Sequence, residues 1–220
     1  MTSAEVVGSK YPRHTRADVV SAGLTILDER GLPELTMRRL AATLDVQPSA
    51  LYWHVANKQT LLALIADQII SRTAVVTDRE NWIDTTSGEA QALRDALLSY
   101  RDAAEVVSST LALGLGAGAA QQRLFAAIRA GGCDEKTSAL ASAAMLHFIL
   151  GHVSHEQQRI QADSLGAVTA NLAATPPGVT SPDGAAADAV SANFAQPRGR
   201  EAFDFGVTLL LQGLEVHERA

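Results

Sequence analysis

The sequence predicts an all-α protein, and three observations carry that prediction. Apolar residues recur at helical spacing in one segment after another. Helix-starting and helix-ending residues punctuate those segments: Thr36, Asn57 and Asp134 on one side, Gly31 and Gly131-Gly132 on the other. No stretch alternates apolar with polar residues as a half-buried strand would, and no segment repeats another. A chain of 220 residues allows one or two domains with ample core.

The elements follow in order. Residues 1–14 form a loose tail. Thr15 to Arg30 places Val19, Val20, Leu24, Ile26 and Leu27 on one helical face, and Gly31 with Pro33 ends that helix. Thr36 caps a short helix, Met37–Leu44, with Leu40, Ala41 and Leu44 inward. Asp45-Val46 turns tightly. Pro48 opens a second short helix, where its missing N–H costs nothing, and that helix extends to about His54. Asn57 caps a long helix through Leu61, Leu62, Ile65 and Ile69. Helix, short helix, tight turn, short helix, long helix is a helix-turn-helix layout. Short helices are marginal alone, so these pack on their neighbours through Leu40, Leu44, Val46 and Leu51.

Beyond Val76 the chain is polar to residue 88, with Trp82 inward, and residues 89–106 form one amphipathic helix. LGLGAGAA (113–120) holds a turn or kink. Leu124, Phe125 and Ile128 mark a helix ended by Gly131-Gly132. Asp134 or Thr137 caps a long helix, apolar almost all round and so buried on several sides. Residues 173–200, with four of the seven prolines, form a mobile loop. In the last segment Phe205, Leu209, Leu210 and Leu214 make a helical stripe.

Net charge is −6, which argues against a chain coated in basic charge. The excess is uneven: residues 1–60 hold seven basic and six acidic side chains, so the acidic surplus lies in the remainder. One end can therefore face phosphates while the body repels them. A single cysteine, Cys133, allows no internal disulfide and is expected to be an inert buried thiol. No apolar run is expected to span a bilayer, and no leader pattern opens the chain. A soluble, cytoplasmic protein without membrane contact is expected.

LTMRRLAATLDVQPSALYWHVANKQTLL (35–62) resembles the DNA-binding domain of the tetracycline-repressor (TetR) family. ALLSYRDAAEVV (96–107), LHFILGHV (146–153) and FDFGVTLLLQGLE (203–215) resemble the regulatory domain of its tetracycline-responsive members. The resemblance implies a three-helix DNA-binding domain (15–61), joined by a long helix to a larger ligand-binding and dimerisation domain (62–220). It implies a dimer on a palindromic double-stranded DNA operator, with a small-molecule effector and no cofactor, paired through a four-helix bundle in which Gly151, Gly206 and Gly213 permit close helix approach. By match to the motif, Arg38, Gln47, Pro48 and Ser49 face base edges: arginine suits guanine, glutamine suits adenine, proline suits a thymine methyl. Thr36, Tyr52, Trp53, His54 and Lys58 hold phosphates or position the helix.

Glu89, Leu93, Val107, Thr110, Leu111, Arg123 and His147 match positions lining the family's effector pocket, and His155 matches one reaching it from the partner subunit. The family's magnesium-binding histidine is replaced by Val107, which cannot ligate a metal. Thr73 and Ala74 stand where a histidine-rich helix end is found, and Leu111-Ala112 replace an Arg-Pro pair. Magnesium–tetracycline is therefore not the expected ligand; a small, largely apolar molecule is. His152, His155 and Glu156 have the helical spacing of a metal site but lack a further ligand, so no metal is expected. The residues leave two other functions open. One is a DNA-binding member without a small-molecule ligand. The other is an all-α enzyme using Ser99 or Ser108 with His147 and Asp102, which no nucleophile motif supports.

Overall fold

The structure, a computed structural model, describes residues 14–74, 76, 81–164 and 199–218, and these are helical with no strand among them. The expected tail (1–13) and most of the expected loop (173–198) lie outside the described residues. The ends of those two segments differ from expectation. His14 donates through Nε2 to the Leu44 carbonyl, 2.9 Å away, and Gly199-Arg200 already belong to the last helix.

Helix α1 (Arg16–Arg30) starts at a reciprocal cap. Thr15 Oγ1 accepts the Asp18 N–H at 3.2 Å, and the Asp18 carboxylate accepts the Thr15 N–H at 2.7 Å. Gly31, at φ 82°, ends it. In α2 (Met37–Thr43) Thr36 Oγ1 accepts the Arg39 N–H. Asp45 makes the turn at φ 53°, a conformation Asp tolerates better than most side chains. Helix α3 (Pro48–Leu51) is one turn long, shorter than expected. The chain continues in hydrogen-bonded turns, because Val55 is drawn into the core and both His54 and Val55 bond back to Leu51. Asn57 then caps α4 (Lys58–Ser71) by accepting the Thr60 N–H at 2.8 Å. Leu24, Leu27, Leu40, Leu51, Leu61 and Ile65 form the core of this N-terminal unit. Gly23 lets α1 approach α4, since a Cβ there would meet Ile65 at 2.9 Å.

The larger helical domain follows: α5 (Trp82–Leu98), α6 (Ala103–Ala112), α7 (Gly118–Ala130), α8 (Glu135–Ser164) and α9 (Gly199–Glu218). The single helix expected over 89–106 is two. It breaks at Ser99–Asp102, where Asp102 is left-handed at φ 54°. Partners distant in sequence hold the break. Gln157 of α8 donates to the Leu97 and Tyr100 carbonyls at 3.0 and 2.7 Å. Asp102 accepts the Leu32 N–H at 2.8 Å and the Gln161 amide.

The Gly-rich segment turns as expected, with Gly114 and Ala117 at positive φ. Gly116 lies so close to α4 that a Cβ would meet the Ala63 carbonyl at 2.9 Å. Asp134, not Thr137, caps α8 by accepting the Thr137 N–H.

One expectation about burial is corrected, and the inward side of the last helix is added. Helix α8 is buried along Met145, Leu146, Ile149, Leu150 and Val153, while Leu140, His147, Gly151 and Ile160 are exposed. It is long and apolar enough to cross a bilayer by length and composition alone, contrary to expectation, yet α5, α6, α7 and α9 all pack on it. In α9 the buried stripe is Phe203, Val207 and Leu211; Phe205 (65% exposed), Leu209 and Leu210 face outward. The α9 sequence is apolar on two sides, so periodicity alone did not select the inward one. Of the three glycines, only Gly206 sits under a neighbour in this chain, the Phe148 ring; Gly151 and Gly213 face open space.

Candidate DNA-reading surface and effector site

The helix-turn-helix unit keeps its apolar side chains inward and presents polar and aromatic ones outward. Leu40, Ala41, Leu51 and Val55 are buried, while Thr36, Arg38, Gln47, Pro48 and Ser49 are exposed on α2 and the start of α3. Tyr52 is 54% and Trp53 90% exposed. An indole left in water forgoes the benefit of burial, about 1.5–3 kcal/mol for a large apolar side chain, and nothing in the fold requires it there. Arg39 pairs with Glu34, but no described residue engages Arg38, whose guanidinium keeps all its donors. Thr36 spends a lone pair on its cap, leaving the hydroxyl proton to donate. Lys58 is the first residue of α4, where a cation opposes the helix dipole and an anion would be welcome. His54 is half-buried in a cleft of about 340 Å³ that it shares with His14, Leu44, Val46 and Leu51. His14, in the segment expected to be a loose tail, ties the entering chain to the end of α2 through its bond to Leu44. No local pattern signals that bond across thirty residues.

In the larger domain five of the eight expected effector residues lie inward on α5, α6 and α7. Leu93, Val107 and Thr110 are fully buried, and the Thr110 hydroxyl is spent on the Val107 carbonyl at 3.0 Å. Glu89 of α5 and Arg123 of α7 form an ion pair, Oε2 to Nε 2.6 Å. Removing one partner of so enclosed a pair typically costs about 3–5 kcal/mol. Arg123 also donates to the Thr73 carbonyl at 3.3 Å and the Ala74 carbonyl at 2.5 Å, just beyond the end of α4. The Thr73 hydroxyl is buried without a hydrogen-bond partner among the described residues. Leu111 is half-buried.

His147 departs from expectation. It is exposed on the outer side of α8, because the inward face is taken by Met145, Leu146, Ile149 and Leu150. His155 is also exposed and lines a surface cleft of about 450 Å³ with His152, Glu156 and Arg159.

The histidine–carboxylate spacing on α8 does not gather ligands. His152 Nε2 donates to the Gly199 carbonyl at 2.8 Å, and both Glu156 oxygens accept from Arg94 at 2.8 Å. No group of three metal-ligating side chains occurs among the described residues. Nor do Ser99 or Ser108, His147 and Asp102 come together as the enzyme alternative needs. Asp102 bonds to Gln161, fourteen residues from His147 and so about 21 Å away along α8.

A capped helix-turn-helix with an unengaged arginine and exposed aromatics, joined to a larger helical domain, defines a helical DNA-binding regulator. The chain belongs to the tetracycline-repressor family: residues 19–65 match "Bacterial regulatory proteins, tetR family" and residues 76–217 match "Tetracyclin repressor-like, C-terminal domain". It is 34% identical over 151 residues to the class G tetracycline repressor of Vibrio anguillarum, covering 67% of this chain and 71% of that one. Its fold is similar to that of BioQ from Mycobacterium smegmatis, at TM-score 0.76 and 36% identity over 93% of this chain and 99% of that one. BioQ has also been solved with its double-stranded DNA operator. A TetR variant from Acinetobacter baumannii AYE, solved with minocycline, matches at TM-score 0.66 and 26% identity over 92% and 97% of the two chains.

Proposed function

We propose that this chain is a homodimeric cytoplasmic repressor, released from a palindromic operator by a small molecule with a largely apolar body, and that it acts by binding and not by catalysis. The observation that carries the reading is the outward cluster of Arg38, Gln47, Pro48, Ser49, Tyr52 and Trp53 on a rigid, capped frame. One short helix reads few bases, so a dimer that places two such helices in successive major grooves doubles the site. Residues 15–61 form the DNA-binding unit and 62–220 the regulatory one, with α4 crossing between them. The relatives solved with an operator and with minocycline support both kinds of partner.

Arg38, Gln47, Pro48 and Ser49 read bases; Thr36, Tyr52, Trp53, His54 and Lys58 engage the backbone. Glu89, Leu93, Val107, Thr110, Leu111 and Arg123 line the effector site. The partner helices α8 and α9 pair through their outward apolar faces in a four-helix bundle. There His147 and His155 come near the partner subunit. Effector binds the DNA-incompetent arrangement more tightly, moves α4 and changes the spacing of the two reading helices; operator then weakens effector binding by the same factor. Val107 in place of a metal-binding histidine argues against a magnesium–tetracycline effector.

Selection from random DNA, followed by footprinting, tests the reading. A palindrome with half-sites about one helical turn apart is expected. Arg38→Ala is expected to cost about 1–3 kcal/mol on that operator and relax specificity, while Lys58→Ala weakens all DNA alike. Equal losses for Arg38→Ala on operator and random DNA would refute base reading.

A further inference from the structure

We propose that the effector is an organic cation, an ammonium or amidinium on an apolar body, which takes the place of Arg123 against Glu89 and the end of α4. The proposal rests on the effector entering between α5 and α7.

The ligand class follows from which partner can leave. Glu89 and Arg123 face each other at 2.6 Å, with side chains 11% and 24% exposed. An anionic ligand would have to displace Glu89 from Arg123, leaving a buried carboxylate without its partner, the costly outcome for a buried pair. A cation displaces Arg123 instead. The arginine sits half-covered on α7, and its flexible three-carbon stem can carry the guanidinium to water. A neutral apolar ligand leaves the pair intact and does not contest the end of α4.

The acceptors in place agree with this choice. Among the described residues, nothing donates to Glu89 Oε1 and the buried Thr73 hydroxyl has no partner. The Thr73 and Ala74 carbonyls stand at the negative end of the α4 dipole. An ammonium has three N–H donors and no acceptor, which suits Glu89, the Thr73 hydroxyl and one carbonyl. In this structure the chain's own cation, Arg123, occupies the seat.

Displacement also supplies the signal. Helix α7 holds the second half of α4 at two places: Arg123 on the Thr73 and Ala74 carbonyls, and the Ala117 N–H on Asp67 at 2.7 Å. Losing the first removes the hydrogen bonds that hold the chain just past α4, so the far end of α4 keeps only its packing through Ile69 and Ile70 and the Asp67 bond, while its other end remains in the DNA-reading core.

The test uses the full chain and three probes of one shape: 4-phenylbutylammonium, 4-phenylbutyrate and 4-phenylbutanol. Binding is measured by calorimetry and release by fluorescence of the selected operator. The ammonium is expected to bind at least about tenfold tighter than the other two and to release operator. Glu89→Gln is expected to weaken it about tenfold, and Arg123→Met, which vacates the seat, to tighten it about tenfold. Should Arg123→Met not fold, the probe series and Glu89→Gln decide. Tightest binding by the butyrate, lost in Arg123→Met, would overturn the cation and leave the effector site standing. Release by none of the probes, or release insensitive to both substitutions, would overturn the cation and the site together.

Discussion

Asp102 offers the sharpest test of how the two parts of the chain are joined. It stands at the α5–α6 break in a left-handed conformation, and its carboxylate holds the Leu32 N–H from the DNA-binding unit and the Gln161 amide from α8. Hydrogen bonds to charged groups contribute about 1.5–3 kcal/mol each, so two at the lower value give about 3. A left-handed residue with a Cβ costs roughly 1 kcal/mol relative to glycine. Asp102→Ala loses both bonds and keeps the strain, and is expected to destabilise by about 3 kcal/mol. Asp102→Gly loses the bonds but relieves the strain, for a net loss of about 2. Asp102→Asn tolerates the backbone and keeps a neutral acceptor, for a loss of about 1. The order Asn, Gly, Ala is the signature, because side-chain volume alone would place Gly last. Urea unfolding at one fixed protein concentration measures it, with midpoints compared at unchanged slope. Equal losses for Gly and Ala would refute the left-handed strain, and losses under about 0.5 kcal/mol in all three would refute the carboxylate's role as a tie.

Three further outcomes are expected. Gly131→Ala puts a Cβ about 2.5 Å from the Trp82 ring and should destabilise by about 1–3 kcal/mol while shifting Trp82 fluorescence; an unchanged spectrum and midpoint would contradict the packing. Trp53→Ala should leave thermal stability within about 0.5 kcal/mol, because the indole is exposed, while weakening operator binding; a cooperative loss of fold would place the ring in the core instead. The Asp18 carboxyl is held below its ordinary value of 3.8 by the Thr15 backbone N–H and then by the Thr15 hydroxyl. Its contribution is complete above the ordinary carboxylate range and is lost as pH falls below 3.8 through the lowered value, so Asp18→Asn should flatten the acid limb of the stability curve and leave its neutral shape unchanged.

Most of the N-terminal unit was legible because its determinants are local. Thr36 and Asn57 bond N–H groups three residues on, Asp45 occupies the turn, and Pro48 opens α3. The exposed positions of Arg38 and Trp53 follow from the same local geometry. What could not be read depends on distance in sequence. Ser99-Tyr100-Arg101-Asp102 is compatible with a helix, and only Gln157, Gln161 and Leu32, reached through the fold, make the break favourable. The Glu89–Arg123 pair is of the same kind: two positions assigned separately to a pocket prove to hold each other and the end of α4. Which side of α9 faces inward was not legible for another reason: Phe205, Leu209 and Leu210 of its helical stripe lie outward. A helix apolar on two faces does not declare which one its own chain covers.

That second face bears on assembly. Leu140, Phe205, Leu209, Leu210 and Val216 are exposed on α8 and α9. Each is already partly covered, so burial against a partner recovers about 1 kcal/mol apiece, and five on each of two copies give roughly 10. Association costs an estimated 4–15 kcal/mol in lost translational and rotational freedom, so these side chains alone come close to breaking even. The surplus has to come from close packing, and the surface is shaped for it. A groove of about 340 Å³ lies between α7, α8 and α9, lined by Ile128, Ala141, Ala144, Met145, Gly213 and Leu214. Alanines and a glycine let a second helix approach closely, and the outward leucines are the right size to enter such a groove. In the proposed pairing through α8 and α9, small residues and a groove beside an exposed apolar row would meet the partner, while Phe203, Val207 and Leu211 on the opposite side of α9 serve the chain's own core.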